Sequence, residues 1–595
     1  MKNFFKIMFA SMFGVILASF LLIFIIAGIV SLAASSEAEN VQIEENTVLV
    51  IDLEKAVSER TVDDPMANLS IPGMGKTGSI GLNDILKNID KAKTDKNIVG
   101  IYMKLNTVNA GMSSIEEIRN ALIEFKKESP DKFIISYSDS YSQKSYYLAS
   151  VSDSIFLNPQ GEMPILGLRA EVMFMKSALD KLGIEAQVIR HGKFKSAVEP
   201  FMQDTMSENN RLQMNKLLTS IWDSYRKDIA EIRNINIDSI NAMANGVQVR
   251  SANDALAYNL VDGLRYKDQM IALMKQLTST KEDEDVKTVS IEDYTNVPLS
   301  RSDEEREKGR PKDKIAVIYA NGEINMGEGD EATIGSENIS RAIREAREDE
   351  DVKAIVLRVN SPGGSALASD IIWREVTLAK AVKPVVVSMG DYAASGGYYI
   401  ACAADYIVAD EMTLTGSIGV FGVLFNGKQL LNEKLGIYTE VVKTNNHSDM
   451  GSFSRALTSE EQQIIQGEVE RVYDTFIGVV AEGRGMTKAE VDSIGQGRVW
   501  SGIDAIEIGL VDEIGGLERA IEIAAERAKL ENYRLLPLPE IKDPFDQILE
   551  QISGSTQSNV LENTLGVNYK YFEYLETIAK MNGVQTRLPF FVEIQ

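Results

Sequence analysis

Apolar residues along the chain follow two alternating rhythms. Short β-branched runs, VKAIVLRVN (352–360), KPVVVSMG (383–390) and DYIVAD (405–410), predict buried strands. Between them SALASDIIWREVTLAKA (365–381) repeats its apolar positions every three to four residues and predicts an amphipathic helix. A second helix is predicted over 457–480, with Thr458 or Ser459 as N-cap and Glu460 and Glu461 in its first turn. Strand–helix–strand alternation with unbroken apolar strands predicts α/β units built on a largely parallel sheet.

The pattern occurs twice. Residues 138–153 (SDSYSQKSYYLASVSD) match 390–405 (GDYAASGGYYIACAAD) at an offset of 252, and 80–106 match 334–360 at an offset of 254. DTMSE (204–208) faces ALTSE (456–460), which starts a counterpart helix near Ser207, and the opening strands TVLVIDL (47–53) and KIAVIYA (314–320) correspond. A repeat of this length is a duplicated domain, since solenoid periods run to about 20–50 residues. The expected organisation is an N-terminal repeat over 46–300, a charged linker over 301–314 (RSDEEREKGRPKDK), a C-terminal repeat over 315–540 and a tail over 541–595 with an aromatic cluster, YKYFEYLE.

Ahead of the first repeat, no charged residue occurs between Ile7 and Ser36. That run is long enough to span a bilayer. Lys2 and Lys6 precede it and Glu37, Glu39, Glu44 and Glu45 follow, so the positive-inside rule puts residues 1–36 down as a cytoplasmic stub and anchor, with the rest outside the cytoplasm. The rival reading is a cleaved signal peptide, using the small residues Ala33, Ala34 and Ser35, but the apolar region is about twice the length of a signal core. The net charge of −25 argues against nucleic acid as a partner. The single cysteine, Cys402, excludes an intrachain disulfide and sits in an apolar run as a small core residue. GMGKT lacks the first glycine of a P-loop, because Ser70 occupies that place, and Ser129–Lys132 fits S-x-x-K only as a turn through Pro130.

The two copies differ where chemistry would sit. Ser395, at a strand-to-helix turn among Ala393, Ala394, Gly396 and Gly397, is Gln143 in the first copy. A serine there exposes its hydroxyl and is followed by backbone N–H groups able to meet a carbonyl. Ser361-Pro-Gly-Gly-Ser365 also ends a strand and opens a helix, supplying glycine N–H donors of the kind an oxyanion hole needs; its counterpart, Thr107–Gly111, lacks the glycine pair. Thr413–Gly419 keeps hydroxyls that Gly161–Gly167 has lost. A serine nucleophile needs a base. His447 aligns with Lys195, so the residues leave two pairings open, Ser395 with His447 inside the second copy or with Lys195 across the copies. Lys193 would share a strand face with Lys195, so periodicity does not choose between the lysines.

AASGGYYIACAAD, VNSPGGS, LTGSIGV and especially KSAVEPF (195–201) resemble the signal peptide peptidase A (protease IV) family in its long, duplicated form, over nearly the whole chain from the anchor to about residue 540. The resemblance implies tandem units of ClpP/crotonase type and a Ser/Lys-dyad endopeptidase without metal or cofactor. Carried over, Ser395 is the nucleophile, Lys195 the base, Gly364 and Gly396 the oxyanion donors, and Ser417 the residue that orients the lysine. It further implies remnant signal peptides as substrates and a homo-oligomer, a tetramer. Two other classes compete: a crotonase-like acyl-CoA enzyme, which an extracytoplasmic location would deprive of CoA thioesters, and a non-catalytic scaffold, which intact Ser, Gly-Gly and Lys elements disfavour. An α/β-hydrolase is weaker still, because the duplication does not fit it.

Overall fold

The computed structural model describes residues 43–61, 78–298, 311–541 and 584–588, with a few isolated helical positions before residue 22. Most of the apolar run 7–36 and of the charged linker, together with GMGKT and the aromatic cluster of the tail, lie outside the described residues. Among the described residues no helix is long and apolar enough to cross a membrane.

The first copy opens with β1 (Thr47–Asp52), α1 (Leu82–Thr94), β2 (Ile98–Lys104), α2 (Met112–Glu128), β3 (Phe133–Ser138), α3 (Gln143–Ala149) and β4 (Ser154–Leu157). It continues through β5 (Glu185–His191), α4 (Glu208–Arg233), β6 (Gly263–Leu264) and β7 (Thr288–Ser290). Its sheet, in the order β6-β4-β3-β2-β1-β7, is parallel throughout. Parallel strands need covering on both faces, which explains their continuous apolar character.

The second copy repeats the plan with β8 (Lys314–Asn321), β9 (Glu323–Asn325), α5 (Ser336–Glu348), β10 (Val352–Ser361), β11 (Gly363–Ser365), α6 (Ala366–Lys380), β12 (Val385–Ala394), α7 (Gly396–Ala401) and β13 (Tyr406–Ala409). Then come β14 (Leu414–Gly416), β15 (Val420–Asn426), α8 (Ser459–Arg484), β16 (Val499–Ser501), α9 (Leu517–Ala528) and β17 (Arg534–Leu538). The sheet order is β16-β14-β12-β10-β8-β17, with β13 beside β12. The duplication reaches into register detail: β1–β2 and β8–β10 both slip after their first residue, at Thr47/Val48 and Lys314/Ile315. Of the two N-cap candidates on α8, Thr458 takes the role, in a full capping box with Glu461, and α4 starts near Ser207 as expected, with Ser207 as its cap.

The copies do not fold as separate bodies. The core of the first continues into the second through Ala394, Met412, Leu414 and Val499. Four buried polar residues of α2 bond to the second copy: Ser113, Ser114, Glu116 and Glu117. The Arg358 guanidinium on β10 is fully buried, donating to both oxygens of Glu59 and to Glu117, both from the first copy, and to Ser388 Oγ at 2.8 Å. Glu116 accepts the amides of Glu411 and Met412, and Asp391 accepts from the amide and hydroxyl of Ser114. A third sheet also crosses between the copies, because β5 pairs antiparallel with β15 over seven residues from Glu185↔Asn426 to His191↔Val420.

Candidate active site

β12 ends at Ala394 and α7 starts at Gly396, leaving Ser395 alone at the corner. Its φ of 55° and ψ of −112° form a conformation non-glycine residues seldom adopt, and strain of this kind concentrates at functional positions. The corner is held by the Ser395 amide donating to Gly416 O at 2.8 Å, while Tyr399 N donates back to Ser395 O.

β5 delivers the lysine. The chain leaves that strand at His191 and turns into a single 3-10 turn over Ser196–Val198, with Lys195 at its N-cap. Lys193 and Lys195 are therefore not neighbours on a strand face, contrary to the periodic expectation. A turn intervenes, Lys193 is exposed and Lys195 is fully buried. Lys195 Nζ lies 2.8 Å from Ser395 Oγ, 3.0 Å from Ser417 Oγ and 3.1 Å from Ser417 O. Among the described residues no carboxylate pairs with it, and burial holds its amine well below the ordinary lysine range. His447, the other candidate base, is half exposed in a loop beside Glu460 and Glu461.

Gly363 and Gly364 form β11 with Ser365. The Gly363 amide donates within its own turn to Ser361 Oγ at 3.1 Å. A Cβ added to Gly363 would lie 2.8 Å from the Gly396 nitrogen, so the glycine turn and the start of α7 line one spot. Cys402 is buried in the core, and burial pushes its thiol up to about 12. Among the described residues no cluster of three or more His, Cys, Asp or Glu side chains could hold a metal ion.

In the first copy, Gln143 fills the equivalent corner. Its Oε1 accepts the amides of Leu166 and Gly167 at 2.8 and 2.9 Å, and its Nε2 donates to Gly167 O. Those backbone donors are thus occupied by a side chain.

The sequence reading passed over Gly497 and gave Gly419, the end of the Thr413–Gly419 element, no role beside the lysine. A Cβ on Gly497 would sit 2.6 Å from the Lys195 nitrogen and Cβ, and one on Gly419 would sit 3.1 Å from its Cδ. Both make room for the lysine. Nothing local in IGQGRVW marked Gly497, because its neighbour is 302 positions away in the sequence.

Two stretches of the chain, 126–281 and 377–531, each match the model of peptidase family S49. Protease 4 of Salmonella typhi is 37% identical over 526 residues, covering 85% of this chain and 83% of that protein. Protease 4 of Haemophilus influenzae is 38% identical over 454 residues, 74% of this chain and 72% of its own. The chloroplastic serine protease SPPA of Arabidopsis thaliana is 32% identical over 557 residues, 92% and 78% of the two chains. The chain is a serine peptidase. More narrowly, it belongs to peptidase family S49, whose model it matches twice, and it is similar over most of its length to protease 4 and SPPA.

Proposed function

We propose that the chain is a membrane-anchored, extracytoplasmic endopeptidase that degrades cleaved signal peptides and other unfolded apolar peptides with a Ser395/Lys195 dyad, on units of ClpP/crotonase type. The observation that carries the reading is the environment of the Lys195 amine: fully buried, without a carboxylate among the described residues, and 2.8 Å from Ser395 Oγ. A neutral amine has two donors and one acceptor site, and an ammonium has three donors and none. Ser417 O and Oγ suit the two donors, which leaves the lone pair for the Ser395 hydroxyl proton.

Lys195 takes that proton as Ser395 Oγ bonds to the scissile carbonyl carbon, and the oxyanion rests on the Gly364 and Gly396 amides. The Gly363 amide is already bonded to Ser361, which favours Gly364 as the donor of the pair. The lysine ammonium then protonates the leaving amine as the C–N bond breaks. A water deprotonated by the regenerated amine hydrolyses the acyl-enzyme. Ser417 acts as a positioning residue that holds Nζ toward Ser395.

The homo-oligomer, a tetramer by family resemblance, has support in the repeat. At the offset of 252, β5 corresponds to 437–443 and β15 to 168–174. β5 and β15 pair with each other, whereas 437–443 joins no sheet and lies at the surface, with Tyr438 77% and Val442 102% exposed. A second copy offering 168–174 would repeat the pairing head to tail, the geometry that closes rings.

The test is cleavage of a signal-peptide substrate by Lys195→Ala and His447→Ala variants. Lys195→Ala should abolish turnover while His447→Ala retains most of it. The opposite result would overturn the dyad.

A further inference from the structure

Between β11, which carries the glycine pair, and β15, which follows Ser417, lies a strand from outside both repeats. β18 (Val584–Arg587) pairs antiparallel with β11 on one side, Gly363↔Arg587, Gly364↔Thr586 and Ser365↔Gln585. On the other side it pairs with β15, Phe421↔Gln585 and Gly422↔Val584. It is the piece that joins β9-β11 to β15-β5 in the third sheet. Without it, two facing strand edges would border a slot one strand wide, since neighbouring strands lie roughly 4.8 Å apart. Such a slot suits an extended peptide that bonds both edges through its backbone.

The segment lies directly against the site. Thr586 is fully buried, and its Oγ1 donates to Gly364 O at 3.1 Å. A Cβ on Gly363 would sit 2.1 Å from Thr586 O, and one on Gly396 would sit 2.9 Å from Thr586 Oγ1. Thr586 therefore packs against the glycines on which the scissile carbonyl would rest. Flanking contacts anchor it: the Leu588 amide donates to Pro362 O at 2.7 Å, Arg587 pairs with Glu323 at 3.0 Å, and the Leu588 side chain is buried in the shared core. Ser395 is entirely inaccessible with the strand in place.

We infer that segment 584–588 is an autoinhibitory strand, which occupies the substrate slot in the manner of a bound peptide and must leave before a substrate enters. This rests on the reading of Ser395, Gly364 and Gly396 as the catalytic site. The substrate it excludes is an extended peptide running antiparallel to β11. Because only the strand-released fraction can bind, apparent affinity is reduced by that fraction while the chemistry at saturation is unchanged.

The experiment compares the full-length, detergent-solubilised chain with one ending at Gly583 and with full-length Thr586→Arg, whose side chain has no room beside the glycines. Three readouts serve: KM and kcat on an internally quenched apolar peptide, the rate of Ser395 labelling by a fluorophosphonate, and inhibition by the synthetic peptide GVQTRLP (residues 583–589). Release of the strand should lower KM and speed labelling by at least about tenfold with kcat nearly constant, as expected of a competing internal occupant. GVQTRLP should inhibit the shortened chain competitively, and a scrambled peptide should not. Unchanged KM and labelling in a folded shortened chain would overturn the inference, as would loss of labelling in that chain alone, which would make β18 a structural strand. Release of a fragment beginning at Arg587 from wild type but not from Ser395→Ala would also overturn it, making the segment a substrate. If no form, full-length included, reacts with substrate or label, the reading of Ser395 itself fails.

Discussion

Adding one methyl group at Gly497 should disable the site without replacing either residue of the proposed dyad. Gly497 has φ +80°, and a Cβ there would meet the Lys195 nitrogen and Cβ at 2.6 Å. Carbon atoms rest at about 3.5–4.0 Å, so the lysine backbone must retreat by roughly 1 Å. Lys195 Nζ starts 2.8 Å from Ser395 Oγ, and a shift of that size takes it beyond hydrogen-bond reach. Misplacing a catalytic group by 1 Å costs on the order of 10²-fold, or about 2.7 kcal/mol of transition-state stabilisation. The left-handed backbone adds roughly 1–2 kcal/mol of strain to the fold, which a protein of this size should survive. Gly497→Ala should therefore melt cooperatively within several degrees of wild type yet turn over peptide and label Ser395 about 100-fold more slowly. A folded Gly497→Ala enzyme with more than half of wild-type kcat/KM would refute the claim that this glycine makes room for the lysine.

Other consequences follow from the contacts between the copies. Replacing Arg358 with Met strands the buried carboxylates of Glu59 and Glu117, and loss of one partner of such a cluster costs about 3–5 kcal/mol, measurable by urea unfolding. Glu116 is pushed by burial up to about 8, against the lowering effect of its two backbone donors. Its folded-state proton is thus retained where the unfolded chain has lost it, so stability should fall as pH rises from about 4.5 to about 8, and Glu116→Gln should flatten that slope in thermal melts at pH 5, 6.5 and 8.5. Val442→Glu should leave the monomer folded and reduce the assembly measured by light scattering, because it places a charge on the exposed segment offered to a second copy.

The periodicity of apolar residues made the strands and helices of the second copy legible, and the spacing of turns and glycines located Ser395 and the glycine pair. Those features are local, because tight turns draw on a short list of residues that includes Ser and Gly. Which lysine meets Ser395 was not legible from spacing, because Lys193 and Lys195 differ only in what the 3-10 turn does with them, and that turn packs against Gln496 and Gly497 of the other copy. The family resemblance of KSAVEPF supplied what periodicity lacked. Gly497, the carboxylate cluster around Arg358 and the strand at 584–587 stayed hidden for one reason. Each takes its meaning from a partner hundreds of residues away, and nothing in the local pattern names that partner.

The central claim is that an uncharged lysine from one copy activates the serine of the other. The most direct measurement is the pH dependence of fluorophosphonate labelling at Ser395 in wild type and Lys195→Ala. Labelling of wild type should rise with pH through an inflection well below the ordinary lysine range, because burial depresses Lys195 and only the neutral amine accepts the proton. Lys195→Ala should lose that inflection and label at least about 10³-fold more slowly, as expected when a triad-type member is removed. An unchanged profile and rate in Lys195→Ala would contradict the account.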